Sequence, residues 1–346
     1  MKPKFGIIGC GNISRFHFNG LEKAGAEIVH VADINEAAAK PYAEKFGAKL
    51  STSYKEVIHN PEVTAVSVLT SGKYHHQICI EALEAGKDVV CEKTLADNPV
   101  EAYDIVKAAE KSGKLFFVAY MKRFFPAYKK AAELLPKLGH LFSVQVRSFQ
   151  PWGNFYEREE LGDWDFVFTN YGGAILKCAG SHMLDAFLGL LGRPSRVYAH
   201  IDYFKETLFD RKAIALFEYP QGLVVNFEAA SHPLSKIGYE KNSWDEFIEI
   251  NGTNGRLKLS TVMWDAPENN PALLEYYDNE AETVTEFRFD KINPFDIEMQ
   301  EIVNCLEAGK QISPDVIDGF NVDVLIDAMK FSHDNKKSIE IDWKGI

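Results

Sequence analysis

The chain has 346 residues, 46% hydrophobic and 25% charged, an ordinary globular balance and enough length for two domains. Its formal net charge of -12 is spread along the chain without a basic stripe, which argues against nucleic acid as a partner. Cys10, Cys79, Cys91, Cys178 and Cys305 are scattered with no CxxC pair, and no apolar run approaches the ~18 residues of a membrane span, so the sequence predicts reduced thiols and no membrane. The opening MKPKFGIIGCG enters an apolar run at once and shows no secretory pattern, which fits a cytoplasmic protein.

In chain order, Phe5 to Gly9, Ile28 to Ala32, Ala65 to Thr70, Asp88 to Glu92 and Leu115 to Tyr120 are continuous apolar runs without polar alternation. Strands covered on both faces read this way. Helical stretches separate them. Ser53 and Glu56 are spaced as a capping box, Asn98-Pro99 as an N-cap and first helical residue, and Gly86 and Gly113 fall just past helix ends. Strand-helix alternation builds a parallel sheet with right-handed crossovers. After residue 122 the pattern changes. His140 to Phe149 alternates polar and apolar. Three strand pairs flank turns: Lys212 to Tyr219 with Leu223 to Ala229, Phe247 to Ile250 with Arg256 to Leu259, and Leu274 to Tyr277 with Thr283 to Phe289. Long helices are predicted at Ala174 to Leu191, Pro294 to Ala308 and Asp318 to Asn335. The reading is α/β: a doubly wound parallel sheet over residues 1–122, then a second α/β domain over 123–346 with a large, mainly antiparallel open sheet.

The motif GIIGCGNIS sets Gly9, Gly11 and Ser14 at GxGxxG spacing where the first strand opens into a helix. Gly9 permits the tight turn, and Gly11 lets the backbone approach a diphosphate resting on the helix N-terminus. Asn12 and Ile13 complete the turn as cofactor-binding candidates. Ser14 replaces the third glycine with a small side chain. Asp33 follows the second strand, where an acid accepts bonds from ribose hydroxyls and repels a 2′-phosphate, so NAD is expected rather than NADP. The competing role for Asp33 is an N-cap of the next helix.

With these residues on the page, the chain resembles the Gfo/Idh/MocA (glucose–fructose oxidoreductase / inositol dehydrogenase) family over nearly its whole length. AGKDVVCEKT carries Glu92-Lys93 where that family has Glu-Lys-Pro. YMKRFFPAY is similar to its Arg-Phe-x-Pro crossover, YGGAILKCAGSHMLD to its Gly-rich helix with His and Asp, and DGFNVDVLIDAMKFS to its terminal Asp-Gly helix. The resemblance implies a Rossmann domain joined to an open-sheet domain that often forms oligomers, here a homodimer or homotetramer. It implies a nicotinamide cofactor and a sugar, inositol or related polyol as substrate.

It also implies catalytic roles for Lys93 and His182, with Thr70, His75, Glu92 and Lys93 beside the cofactor. Hydride transfer from an alcohol needs a partner for the hydroxyl proton and donors around the oxygen. Against these roles stand plainer ones: a surface lysine after a strand, and a helix histidine with ordinary packing. Glu92 either orients Lys93 or faces the nicotinamide. Tyr120 is nicotinamide-side or core, and Arg123 contacts substrate or holds the junction. His182 and Asp185, three apart, share a helix face. The aromatic, acidic stretch Trp152 to Gly173 walls the substrate pocket or covers the domain. Two departures stand out. Cys178 occupies the position of the family's catalytic Asp, and Thr94 that of its proline. They leave open a rival from another class, a catalytically silent nucleotide- and sugar-binding regulator. Cys178 with His182 offers two ligands, too few for a metal, so none is expected.

Overall fold

The computed structural model describes residues 2–165, 173–266 and 270–344. The chain divides into two compact units, Met1–Met121 with Pro294–Asp323 and Gly345–Ile346, and Lys122–Asn293 with Val324–Lys344.

The first unit is built on six parallel strands: β1 (Lys4–Ile8), β2 (Glu27–Ala32), β3 (Lys49–Ser51), β4 (Ala65–Val68), β5 (Asp88–Cys91) and β6 (Phe116–Val118). Their order, β3-β2-β1-β4-β5-β6, is the doubly wound one, reversing between β1 and β4. β4 and β6 are buried throughout and β1 nearly so, which is why they read as unbroken apolar runs. β3 escapes that reading because its three residues, KLS, are too few to show a period. The helices of this unit are α1 (Ser14–Lys23), α2 (Glu36–Phe46), α3 (Tyr54–Ile58), α4 (His75–Glu84) and α5 (Pro99–Ser112). α5 starts as expected: the Asn98 side chain accepts the Glu101 N–H, Pro99 follows, and Gly113 closes the helix at φ +64°. The capping box does not form. Ser53 makes no side-chain cap bond, and Glu56 turns away to the Lys49 ammonium on β3.

The second unit carries a nine-stranded sheet in the order β14-β13-β12-β11-β7-β10-β9-β8-β15. Its strands are β7 (Leu141–Gln150), β8 (Arg196–Tyr203), β9 (Asp210–Glu218), β10 (Val224–Ser231), β11 (Asp245–Gly252), β12 (Gly255–Ser260), β13 (Leu273–Asp278), β14 (Thr283–Arg288) and β15 (Ile339–Glu340). Every pairing is antiparallel except β7 with β10. Alternate residues such as Val144, Val146, Val225, Phe227, Ala215 and Phe217 are buried on one face. The remaining helices are α6 (Pro126–Leu134), α7 (Ser181–Leu191), α8 (Pro294–Ala308) and α9 (Val316–Asn335). Phe187 of α7 packs on Phe217 of β9 with centroids 5.3 Å apart.

Residues 294–323 return to the first unit because α8 has an apolar face shaped for α1. Phe295 stacks on Phe16 at 4.4 Å, and Met299, Ile302 and Val303 enter the core of the parallel sheet. Gly20 allows this approach: a Cβ there would lie 2.7 Å from Met299.

The predicted helix Ala174 to Leu191 also differs from expectation. Its first part is a π-helical turn, Leu176–Gly180, and α7 proper begins at Ser181. A Cβ on Gly180 would come 2.9 Å from the Ile175 carbonyl oxygen, so glycine admits the wider turn. No helix among the described residues is long and apolar enough to cross a membrane.

Candidate dinucleotide and proton-transfer sites

The glycine turn leaves the end of β1. Gly9 has φ +100°, and a Cβ there would sit 2.8 Å from the Leu69 carbonyl oxygen beyond β4. Glycine is thus fixed by conformation and by backbone proximity. Gly11 differs: a Cβ would meet nothing within 4 Å. The protein itself gives no reason for glycine here, whereas a diphosphate lying on the turn would. Ser14 is fully buried, and its hydroxyl donates to the Gly11 carbonyl at 2.7 Å. It therefore supports the turn it was expected only to tolerate. Asn12 is exposed and Ile13 half-buried, just before the α1 N-terminus, whose first turn carries no acidic side chain. A helix N-terminus with no acidic side chain in its first turn suits an anion.

Asp33, past the end of β2, accepts the Cys10 N–H at 2.7 Å and the Asn35 N–H at 2.7 Å. The N-cap of α2 is Asn35, so Asp33 is not spent as a cap. A carboxylate has about four acceptor positions, so two remain for ribose hydroxyls. Burial and the nearby Asp33 charge push the Cys10 thiol up to about 12.

Lys93 follows β5, at the strand end where doubly wound sheets bind ligands. It is half-buried, and the Lys93–Thr94 peptide is cis. The segment is tied down from three helices. Glu92, buried, meets His17 of α1 at 3.0 Å through one oxygen and accepts the Lys93 N–H at 3.1 Å through the other. His75 of α4 contacts the Thr94 carbonyl at 2.8 Å and the Thr70 carbonyl at 3.0 Å. Asp323 of α9 accepts the Ala96 N–H at 2.8 Å. Burial alone would raise Glu92, but His17 and Lys93 outweigh it and hold the carboxyl below its ordinary value. Burial lowers His75, against the pull of its two carbonyls. His75 has no accessible surface and ties together the loops that follow β4 and β5. Thr70 does have a side-chain hydroxyl without a partner among the described residues. Tyr120 is fully buried.

In the second unit, Cys178 and His182 are the two residues between Gly173 and Leu188 that keep partial exposure, so they share one accessible strip of the π-turn and α7. Asp185 lies inside. Its carboxylate takes both arms of Arg123, at 2.8 and 2.6 Å, which assigns Arg123 to anchoring α7. The start of the helical segment is held by Asp210 of β9, fully buried, which accepts the Ala174 and Leu176 N–H groups. Burial raises the Asp210 carboxyl against the pull of these bonds. Lys122 bonds Glu246 of β11 inside the unit. Glu246 also accepts from Trp244 (2.9 Å), Thr261 (2.8 Å), Ser148 (2.9 Å) and Gln150 (2.8 Å), so its charge is fully satisfied.

Of the aromatic stretch, Phe155 is core and packs with Leu161, Ala174, Phe204 and Phe209, with Trp152 and Trp164 against them. Residues 166–172, which include Tyr171 and Gly172 of the Gly-rich motif, lie outside the described residues. Among the described residues no group of three His, Cys, Asp or Glu is placed to hold a metal.

His17, Asp323, Asp210 and Glu246 were not singled out from the sequence. His17 had a signal, a polar residue among Phe16, Phe18 and Leu21 one turn past the glycine motif. Asp210 and Glu246 had none, since strand acids usually face solvent.

Residues 3–120 match the oxidoreductase family with an NAD-binding Rossmann fold (Gfo/Idh/MocA), and residues 133–341 match its C-terminal alpha/beta domain. Inositol 2-dehydrogenase of Serratia proteamaculans is 27% identical over 342 residues, covering 95% of this chain and 93% of its own. D-xylose 1-dehydrogenase (NADP(+)) 2 of Haloferax volcanii is 24% identical, with 98% and 99% covered. Among solved structures, levoglucosan dehydrogenase in complex with NADH and levoglucosan superposes with a TM-score of 0.83 at 20% identity, covering 99% of this chain and 100% of the other, a likeness of fold.

Proposed function

The chain belongs to the Gfo/Idh/MocA oxidoreductase family, and from that premise we propose that it is an NAD-dependent dehydrogenase or reductase moving hydride between nicotinamide and a sugar, inositol or related polyol. The observation that carries the nucleotide part is the Gly11 position, open to 4 Å, beside an Asp33 carboxylate with acceptor capacity to spare. Gly9, Gly11, Asn12 and Ile13 would cradle the diphosphate, Asp33 the ribose, and the Thr70 hydroxyl and Lys93 segment the nicotinamide side. Asp33 favours NAD over NADP by charge repulsion. When bound, the cofactor supplies the hydride acceptor. Lys93 donates a hydrogen bond to the reacting oxygen and favours the alkoxide-like charge that develops there, and His182 takes the hydroxyl proton. Glu92, His75 and Asp323 hold the Lys93 segment; Arg123 and Asp210 hold the helix of His182.

The polyol class is supported by the inositol and xylose dehydrogenases among the relatives. The exposed Tyr198 and Leu216, paired across β8 and β9, support the open sheet as the contact of a homodimer or homotetramer. A cytoplasmic location completes the reading.

The test is Lys93→Ala with NAD and a panel of inositols, aldoses and sugar alcohols, following reduced nicotinamide by absorbance. NADH binding stays near wild type and turnover falls by at least a hundredfold, within the range for a general acid–base group. Unchanged turnover would remove Lys93 from the chemistry. Cys178, partly exposed beside His182, favours one rival, the silent regulator. NADH binding by the unmodified protein with no turnover of any panel member would support it.

A further inference from the structure

We infer that His17 is a positioning residue for Lys93, acting through the Glu92 carboxylate; the inference rests on the reading of Lys93 as the residue that bonds the reacting oxygen.

His17 has no exposed surface and lies on α1, the helix whose N-terminus faces the glycine turn. A buried imidazole must find a partner or cost the helix its desolvation. Its Nε2 finds Glu92 at 3.0 Å, while its Nδ1 meets no partner among the described residues. The tautomer protonated at Nε2 is the one that leaves no buried proton unbonded, so the ring donates to Glu92. The other Glu92 oxygen accepts the Lys93 N–H. One carboxylate thus joins the phosphate-side helix to the backbone of the lysine.

The titratable groups facing Glu92 are His17 from α1, Lys93 beside it, His75 from α4 and Cys91 at the end of β5, with Asp323 of α9 facing Cys91 in turn. His75 is engaged by two carbonyls. The Cys91 thiol, held neutral by burial, donates to the Glu92 backbone carbonyl. Among the described residues, His17 is therefore the side chain that hydrogen-bonds the Glu92 carboxylate and makes its charge tolerable in burial. Without it, the buried Glu92 carboxylate loses that hydrogen bond, and the acceptor geometry that directs the Lys93 backbone is no longer held.

The experiment uses the full chain and needs no substrate. Wild type, His17→Leu, His17→Gln and Glu92→Gln are acetylated with limiting acetic anhydride at about pH 8, and Lys93 is read by mass spectrometry against the other lysines. Loss of the His17 bond or of the carboxylate frees the Lys93 backbone that the second Glu92 oxygen holds, so His17→Leu and Glu92→Gln change the Lys93 labelling rate about fivefold, the equivalent of about one hydrogen bond. His17→Gln restores an N–H near the Nε2 position and stays within about twofold of wild type. NADH titration, unchanged within about threefold in wild type and the two His17 variants, shows that the fold is kept. The inference is overturned if His17→Leu labels like wild type. It is also overturned if His17→Leu and His17→Gln lose NADH affinity alike, which marks a packing role. Turnover of Lys93→Ala is a separate readout, so failure of the catalytic reading and failure of this one are distinguishable.

Discussion

Two glycines two residues apart should respond to alanine in opposite ways. At Gly9 the added Cβ meets backbone, the Leu69 carbonyl oxygen at 2.8 Å and carbon at 2.9 Å, with φ at +100°. Strain from an unfavourable φ costs about 1–3 kcal/mol and overpacking about 1–3 kcal/mol more, so Gly9→Ala should lose about 2–6 kcal/mol of stability. At Gly11 the Cβ enters open space without positive φ. Gly11→Ala should leave stability unchanged or raise it by about 0.4–1 kcal/mol through the unfolded chain. The same methyl group lies where the diphosphate approaches. It should therefore weaken NADH binding at least tenfold, about 1.4 kcal/mol. Urea unfolding and NADH fluorescence titration on the two variants give both numbers. If Gly11→Ala bound NADH like wild type, the diphosphate would not lie on this turn; if it unfolded like Gly9→Ala, the geometric distinction would be wrong.

Three further outcomes are expected. Arg123→Ala should destabilise the protein by about 3–5 kcal/mol in denaturant unfolding, because it strands the fully buried Asp185 carboxylate. Arg123→Lys should rescue it only in part, since an ammonium has no planar fork. Glu92→Gln removes a carboxyl whose folded value is depressed, so the stability tied to its charge is present above the ordinary 4.5 and fades as pH falls through the lower folded value. The gap between wild type and Glu92→Gln should accordingly shrink as unfolding is measured at pH values descending below 4.5. Cys10, pushed up to about 12, should resist a thiol-directed reagent at about pH 8 while the partly exposed Cys178 reacts.

The parallel half was legible because its strands are buried on both faces and its turn chemistry is local. Ser14, Asn98 and Gly113 each act within a few residues of themselves. The glycine turn and Asp33 were legible by their spacing, and so was the order of motifs that carries the family resemblance. What the sequence hid is long-range. The return of α8 to the first unit depends on Gly20 fitting Met299, partners far apart in the chain. Glu56 reads as a cap but pairs with Lys49 on the surface instead. The π-turn before α7 follows from Gly180 and from the grip of Asp210 on Ala174 and Leu176, and hydrophobic periodicity carries neither. His17, Asp323 and Glu246 matter through partners that no spacing rule connects.

Titration of the purified protein with NADH and, separately, NADPH bears most directly on the account. One NADH per chain should bind, with NADPH at least tenfold weaker because the Asp33 carboxylate, fixed by the Cys10 and Asn35 amides, would repel a 2′-phosphate. Binding of neither dinucleotide, or a preference for NADPH, would contradict it.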